Sequence, residues 1–438
     1  MPWQPRLSAL PQLSYPDSVR YLYALGNELK PGAKFGLERM HALLAALGSP
    51  ERGQRFIHVA GTNGKGSTCA MIAAALRTSG LRTALYTSPH LLSPTERVQI
   101  DGTPIPEAEF AAAFDEVHVV AERMVAEGSL DAHPSYFETV TAMALLIFSR
   151  RAEIVVFEVG LGGRLDATNV VQPELCVITP VHYDHESFLG NTLPSIAWEK
   201  AGILKPGVPL IEGRQDEAAA ATIEERARAL QCPITRVADA AVTEVVACAT
   251  DSAFTLQGQR YTCPLPGRHQ IDNAVAAVLA CLHFGVALQT IATGIAQTVW
   301  PGRLEFVRRS PDFVLDGAHN PSGALALAAY IREFCYQRPV WLVYGTMRDK
   351  AIEEVTPQLF PLADRLILTA PDFPRALRPE ALKEAVEHRD AITAPNVAEA
   401  IREAEKAPRD AIVFFTGSLY LVGEARGLLM PTASYNRA

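Results

Sequence analysis

Short continuous apolar runs alternate along this chain with longer stretches in which apolar residues recur every third or fourth position. Such alternation predicts strands separated by amphipathic helices, and so a parallel α/β sheet. The first strands fall at Phe56 to Ala60, Arg82 to Thr87, 153–160, 174–181 and 208–213. Helical patterns fall at 17–30 and 37–48, parted by Pro31-Gly32, then at 69–80, Glu107 to Glu127 and 139–150. Residues 89–105, with Pro94 and Pro104 flanking Glu96 and Arg97, read as a loop. Residues 233–263 change character: short alternating runs predict a small antiparallel insert, with a helix following at about 271–285. Trp300-Pro301-Gly302-Arg303 is a candidate hinge. Beyond it FVLDGAHN, PVWLVYG, RLILTAP and AIVFFTG restart the strand and helix alternation.

At 438 residues the chain exceeds one ordinary core, which divides it into domains at 1–300 and 301–438. The pattern predicts a P-loop-type parallel-sheet domain carrying the antiparallel insert, then a smaller Rossmann-like α/β domain. A hydrophobic fraction of 48% with 20% charged residues describes a globular enzyme rather than a disordered chain. Net charge of -8 argues against general nucleic-acid binding. The seven cysteines are scattered with no CxxC spacing, and read as reduced thiols that build no zinc site. The N-terminal stretch lacks the charged head and apolar core of a signal peptide, and the longest apolar run, Ala142 to Phe148, is too short to cross a bilayer. A cytoplasmic protein without membrane partners is expected.

The chemistry starts where the first strand empties into Gly61-Thr62-Asn63-Gly64-Lys65-Gly66-Ser67-Thr68 and a helix follows. Glycines bring bare N–H groups close to a polyphosphate, the helix start adds a favourable dipole, Lys65 offers a point charge, and Ser67 or Thr68 a hydroxyl for magnesium. Gly66 stands where the strict Walker pattern has Ser or Thr, so this is a variant phosphate loop. Glu158 ends an apolar run; it suits a metal, or a buried partner. His185, after Asp184, is a metal candidate or a surface histidine. Lys200 sits among Trp198, Ala201 and Ile203. It reads as a helix-surface lysine paired with Glu199 or Glu186, or as a desolvated amine able to become a metal-binding carbamate. In DGAHNP, Asp316, His319 and Asn320 share one turn as candidate site residues, Asp316 and Asn320 reading equally as helix caps before Pro321, while Arg303 could reach a phosphate when the lobes close.

GTNGKGST, SPHL with TERV, FEVGLGGRLDATN, DH followed by SFLG, EKAGI, PGR and DGAHNP occur in an order that resembles folylpolyglutamate synthase and dihydrofolate synthase, members of the Mur ligase superfamily. The resemblance runs from GLER at 36–39 to TGS at 416–418. It implies an ATP-dependent, ADP-forming ligase that makes an amide on the amino group of L-glutamate through an acyl phosphate. The acids would be dihydropteroate and reduced folates. ATP would contact Gly61, Thr62, Asn63, Gly64, Lys65, Gly66 and Ser67, with Asn273, Arg303 and Asp316. Ser88, Glu158, His185 and carbamylated Lys200 would hold magnesium at two sites; a monovalent cation stays open. Phe35, Gly36 and Leu37, Ser135, Tyr136, Phe137 and Glu138, and Leu165, Asp166 and Ala167 would line the pteroate pocket, with His319 and Ser418 on the glutamate side. Lys65, Lys200, His185, Arg303 and His319 would carry the chemistry, in a monomer. Lys34 and the His182-Tyr183 pair depart from the family pattern. The rival readings are a synthase lacking the first activity, a P-loop conformational switch, and a peptidoglycan-precursor Mur ligase, which usually carries a separate N-terminal domain where only about 55 residues precede this phosphate loop.

Overall fold

The computed structural model describes residues 12–26, 36–348, 352–385, 388 and 390–430. Eight strands form the first sheet: β1 (Arg55–Ala60), β2 (Thr83–Tyr86), β3 (Val98–Ile100), β4 (Thr103–Pro104), β5 (Ile154–Glu158), β6 (Leu175–Ile178), β7 (Leu210–Glu212) and β8 (Ile234–Arg236). Their order is β4-β3-β2-β5-β1-β6-β7-β8. All pairings from β2 to β8 are parallel, and β3 and β4 add an antiparallel edge. The central runs are continuously apolar because both faces are covered. Ile57 and Val59 join Ile154 and Val156 in one core, with helices Lys65–Thr78 and His269–His283. Phe56 joins Val155 and Phe157 in the opposite core, with helices Glu107–Ala126 and Tyr136–Arg151. Alternate residues thus serve opposite faces, as strand geometry requires.

Three features depart from the sequence reading. The loop at 89–105 contains β3 and β4, strands too short to carry a periodic signal. Residues 234–236 extend the large sheet as β8, so the antiparallel insert is only β9 (Thr243–Ala247), β10 (Ser252–Leu256) and β11 (Gln259–Cys263). A further helix, Leu288–Ala296, lies across the phosphate-loop helix, and Gly294 permits the contact: a Cβ there would sit 2.4 Å from Ala75 Cα.

The second sheet holds β12 (Glu305–Arg308), β13 (Asp312–Leu315), β14 (Val340–Tyr344), β15 (Arg365–Leu368), β16 (Ala391–Thr393) and β17 (Ile412–Thr416), ordered β12-β13-β17-β14-β15-β16. It is parallel except for β12, which pairs antiparallel with β13. Ser88, Glu158, Asp316 and Ser418 all stand at or just past the carboxyl ends of their strands, where α/β sheets collect ligands.

Glu212 closes β7 at 2% exposure, and neither carboxylate oxygen has a hydrogen-bond partner. Arg236 approaches only to 3.4 Å. Burial, then Glu224, pushes the carboxyl from 4.5 to about 7. A raised folded-state value means the group contributes stability below about pH 4.5 that is lost as pH rises through about 7. Glu212→Gln should therefore raise Tm at pH 8, by roughly 2–4 °C for each kcal/mol relieved, with the gain vanishing at pH 5. Equal gains at both pH values would contradict the assignment.

Candidate active site

The phosphate loop is built by two glycines that no other residue could replace. Gly61 has φ +146°, and a Cβ there would lie 1.9 Å from Thr179 Oγ1; Gly64 has φ +85°, and its Cβ would lie 2.3 Å from Asn273 Oδ1. Thr62 N–H donates to Pro180 O at 2.9 Å, which seats the loop on the end of β6. Lys65 opens the helix and folds its Nζ back to donate to the carbonyls of Gly61 and Thr62, both at 3.2 Å. The departure at Gly66 has a steric cause: a Cβ would meet the Trp300 ring at 2.7 Å. Ser67 and Thr68, the next hydroxyls, are both buried, and Thr68 Oγ1 has no hydrogen-bond partner.

Register brings the next groups alongside. Val59 pairs with Glu158 and Tyr86 with Phe157, so the ends of β1, β5 and β2 lie side by side. Ser88 N–H donates to Glu158 Oε2 at 3.2 Å. Glu158 is buried, and burial pushes its carboxyl to about 7 against the pull of Lys65, the Ser88 amide, Arg303 and Arg97. A buried carboxylate among cations with a nearby serine is a donor set suited to magnesium.

Lys200 corrects one sequence alternative. It is not a surface lysine paired with an acid: it is 4% exposed, and its Nζ donates to Gly61 O at 2.9 Å. Glu199 pairs with Arg164 instead, at 3.0 Å. Burial, then Lys65, pulls the Lys200 amine down to about 7, opposed by Asp184 and Asp166. Such an amine is available as a nucleophile near neutrality. His185 starts a short helix, Glu186–Leu189, with φ +53°, its amide donating to Asp184 Oδ1 at 2.9 Å. Its Nε2 lies 3.8 Å from that carboxylate.

The second sheet contributes from β13. Arg303 is half-buried, and desolvation lowers its pKa against the counteracting charges of Asp316 and Glu158. Asp316 accepts from Leu304 N and Ala318 N, both at 3.0 Å, and so braces the turn that carries Arg303. Asn320 unites its two sequence readings. Its Oδ1 caps helix Pro321–Phe334 through Gly323 N at 2.8 Å, while its Nδ2 donates to Asn63 Oδ1 at 3.0 Å and Asp184 Oδ2 at 3.1 Å. Asn63 Nδ2 donates back to Asn320 Oδ1 at 3.2 Å, a reciprocal amide pair that joins the phosphate loop to the DGAHNP turn. His319 Nε2 stands 3.7 Å from Asp184. Asp184 was passed over in the sequence although it neighbours His185; its value lies in meeting both lobes. Ser418 is buried, and its hydroxyl accepts from Tyr420 N as a helix cap. Asn273 donates to Gln270 beneath Gly64.

The expected pteroate residues divide. Phe35 and Lys34 lie outside the described residues; Gly36 and Leu37 lead into helix Glu38–Ala46. Ser135 and Glu138 form a reciprocal capping box at the start of helix Tyr136–Arg151, and Glu138 also pairs with Arg39 at 3.0 Å. Asp166 holds the glycine loop by accepting from Leu161 N at 2.8 Å and Thr168 N at 3.0 Å, and Ala167 packs in the core. Phe137 closes on Gly160, where a Cβ would come within 2.5 Å of its ring. Tyr136 stacks on Tyr23 at 5.6 Å and takes the Arg97 guanidinium over its ring at 5.2 Å. Arg97 donates to His90 Nδ1 at 2.9 Å. Tyr420, stacked on Phe373 at 4.0 Å, is close enough to act electrostatically on Tyr23, Arg97 and Tyr136. Tyr23, Tyr136 and Tyr420 with Arg97 thus form an aromatic and cationic wall, and neither Tyr23 nor Tyr420 carries a periodic signal in the sequence.

Two family models match the chain: the Mur ligase middle domain over residues 59–281 and the Mur ligase glutamate ligase domain over 302–419. A dihydrofolate synthase/folylpolyglutamate synthase of Bacillus subtilis is 34% identical, over 94% of this chain and 98% of that protein. The enzyme of the same name from Mycobacterium tuberculosis is 35% identical, over 90% of this chain and 89% of its own. Among solved structures, the M. tuberculosis folylpolyglutamate synthase complexed with ADP superposes with a TM-score of 0.87 at 33% identity, covering 95% and 99% of the two chains. E. coli FolC in complex with DHPP and ADP does so with a TM-score of 0.84 at 30% identity, covering 97% and 99%.

Proposed function

Because this chain belongs to the dihydrofolate synthase/folylpolyglutamate synthase family of Mur ligases, we propose that it joins L-glutamate to dihydropteroate with ATP and also extends reduced folates by further glutamates. The observation that carries this reading is the Asn63 and Asn320 amide pair, which keeps the phosphate loop and the glutamate-ligase lobe on one site.

A carboxylate is a poor electrophile, so the substrate carboxylate first attacks the γ-phosphorus of ATP. A new P–O bond forms, the bond to the β-phosphate oxygen breaks, and ADP leaves. The glutamate amine then attacks the acyl phosphate carbon, sheds a proton, and expels phosphate. Loop amides and Lys65 bind the phosphates, and Arg303 neutralises charge on the transferring group from the second lobe. Glu158 and Ser88 would hold one magnesium, and Glu158, His185 and carbamylated Lys200 a second; the metal would supply Lewis-acid neutralisation of phosphate charge. Closure of the lobes excludes the water that would hydrolyse the intermediate. Asp184 faces His185 on one side and His319 on the other, and positions both as the lobes meet. The Tyr23, Tyr136 and Tyr420 wall suits the flat pterin and aminobenzoyl groups.

We further propose action as a cytoplasmic monomer on small molecules, since both lobes of one chain supply the site; among the described residues no helix is long and apolar enough to cross a membrane. The test measures ADP release with dihydropteroate, ATP and glutamate, and again with tetrahydrofolate as acid. Release with both acids supports the two activities. Release with tetrahydrofolate alone reduces the enzyme to a polyglutamate synthase, and glutamate-independent ATP hydrolysis would replace ligation by a switch.

A further inference from the structure

Away from the phosphate loop, three side chains converge that the ligase chemistry does not use. His118 and Glu122 stand one turn apart on helix Glu107–Ala126, and His133 comes from the segment before the Ser135 cap. One ligand atom of each lies within 4.8 Å of the others. We propose that His118 Nδ1, His133 Nε2 and a Glu122 carboxylate oxygen form a binding site for a transition metal of the zinc type, one that ties helix Glu107–Ala126 to the segment leading into the aromatic wall.

Donor spacing supports this. His118 Nδ1 and His133 Nε2 are 3.3 Å apart, and each lies 3.9 Å from Glu122 Oε1. With zinc–nitrogen bonds of about 2.0–2.1 Å, neighbouring donors of a tetrahedron are separated by roughly 3.3–3.4 Å. The histidines already meet that edge, and the half-exposed carboxylate needs only a small swing. The outer contacts suit the role too. His133 Nδ1 donates to Pro134 O at 2.9 Å, which turns the Nε2 lone pair toward His118. Tyr21 Oη donates to Glu122 Oε1 at 3.0 Å and fixes the carboxylate, while its ring packs against both imidazoles, 4.5 Å from His118 and 5.8 Å from His133. Phe114 stacks on His118 at 5.2 Å. Burial also keeps His118 below its ordinary value, the neutral form that metals bind. Three protein ligands leave a fourth position open to water on the Glu122 side, which is the exposed one.

The same atoms can satisfy one another without an ion, His118 Nδ1–H donating to His133 Nε2, so the experiment must read metal directly. Full-length nucleotide-free protein is stripped with chelator and dialysed against zinc, and bound metal is counted. Cobalt loading is followed by its visible tetrahedral absorption. Wild-type protein should retain one zinc equivalent that His118→Ala and His133→Ala lose, with affinity weakened at least about 10-fold. Zinc should raise Tm of the wild type and not of the variants. Glu122→Gln, a milder change, covers the case in which a histidine variant fails to fold; it too should weaken retention. No zinc on the wild type, or the same retention in all variants, overturns the site.

Discussion

Replacing Lys65 with alanine is expected to lower kcat/KM for ATP-driven ligation by roughly 10²- to 10³-fold while Tm moves little. In the absence of nucleotide the ammonium donates to the Gly61 and Thr62 carbonyls, a pair of bonds it would exchange for phosphate oxygens. The loop shape does not depend on those bonds, because Gly61 and Gly64 take positive φ and the Thr62 amide is anchored on Pro180. Loss of the charge should therefore appear as weaker ATP binding and slower phosphoryl transfer, measured by coupled ADP release and by nucleotide titration. Near-normal turnover would reject the phosphate-loop assignment.

Lys200→Ala should have an effect of similar size, and its signature is different. The amine is buried, reaches the phosphate loop at Gly61 O, and is shifted to about 7. Because the shift is downward, the neutral amine predominates above about pH 7, so carbamylation by carbon dioxide should be more complete at pH 8 than at pH 6. Alanine removes the carbamate, and a small carboxylate such as formate should restore part of the activity by occupying the vacated volume. In the wild type, labelled bicarbonate should give a carbamate carbon signal on one lysine. An unmodified amine in active, bicarbonate-replete enzyme would remove the carbamate from the mechanism and leave Lys200 as an anchor of the loop.

Much of this site was legible residue by residue. The strand, glycine turn and helix start at 56–78, the carboxylate that ends 154–158, and the DGAHNP turn each rest on interactions within a few positions of chain, where residue type dictates conformation. Asn320 caps its helix locally, as residue type predicts, while its amide also donates to Asp184. What escaped was every feature decided by a distant neighbour. Edge strands β3, β4 and β12 owe their existence to the strand beside them, since runs so short have no period of their own. The pairing of Glu138 with Arg39, 99 positions away, likewise had no local signal.

The sequence by itself determined where the chain turns, which runs become strands, and which residue types stand at the strand ends, because those follow from sterics and apolar periodicity. Only the tertiary structure decided the electrostatics. Lys200 becomes a weak acid near neutrality because a loop 139 positions away covers it, and Asn320 reaches Asn63 across 257 positions. Trp300, not the loop itself, dictates glycine at 66. Desolvation and charge proximity are properties of the space around a group, and that space is furnished by parts of the chain that no local pattern names.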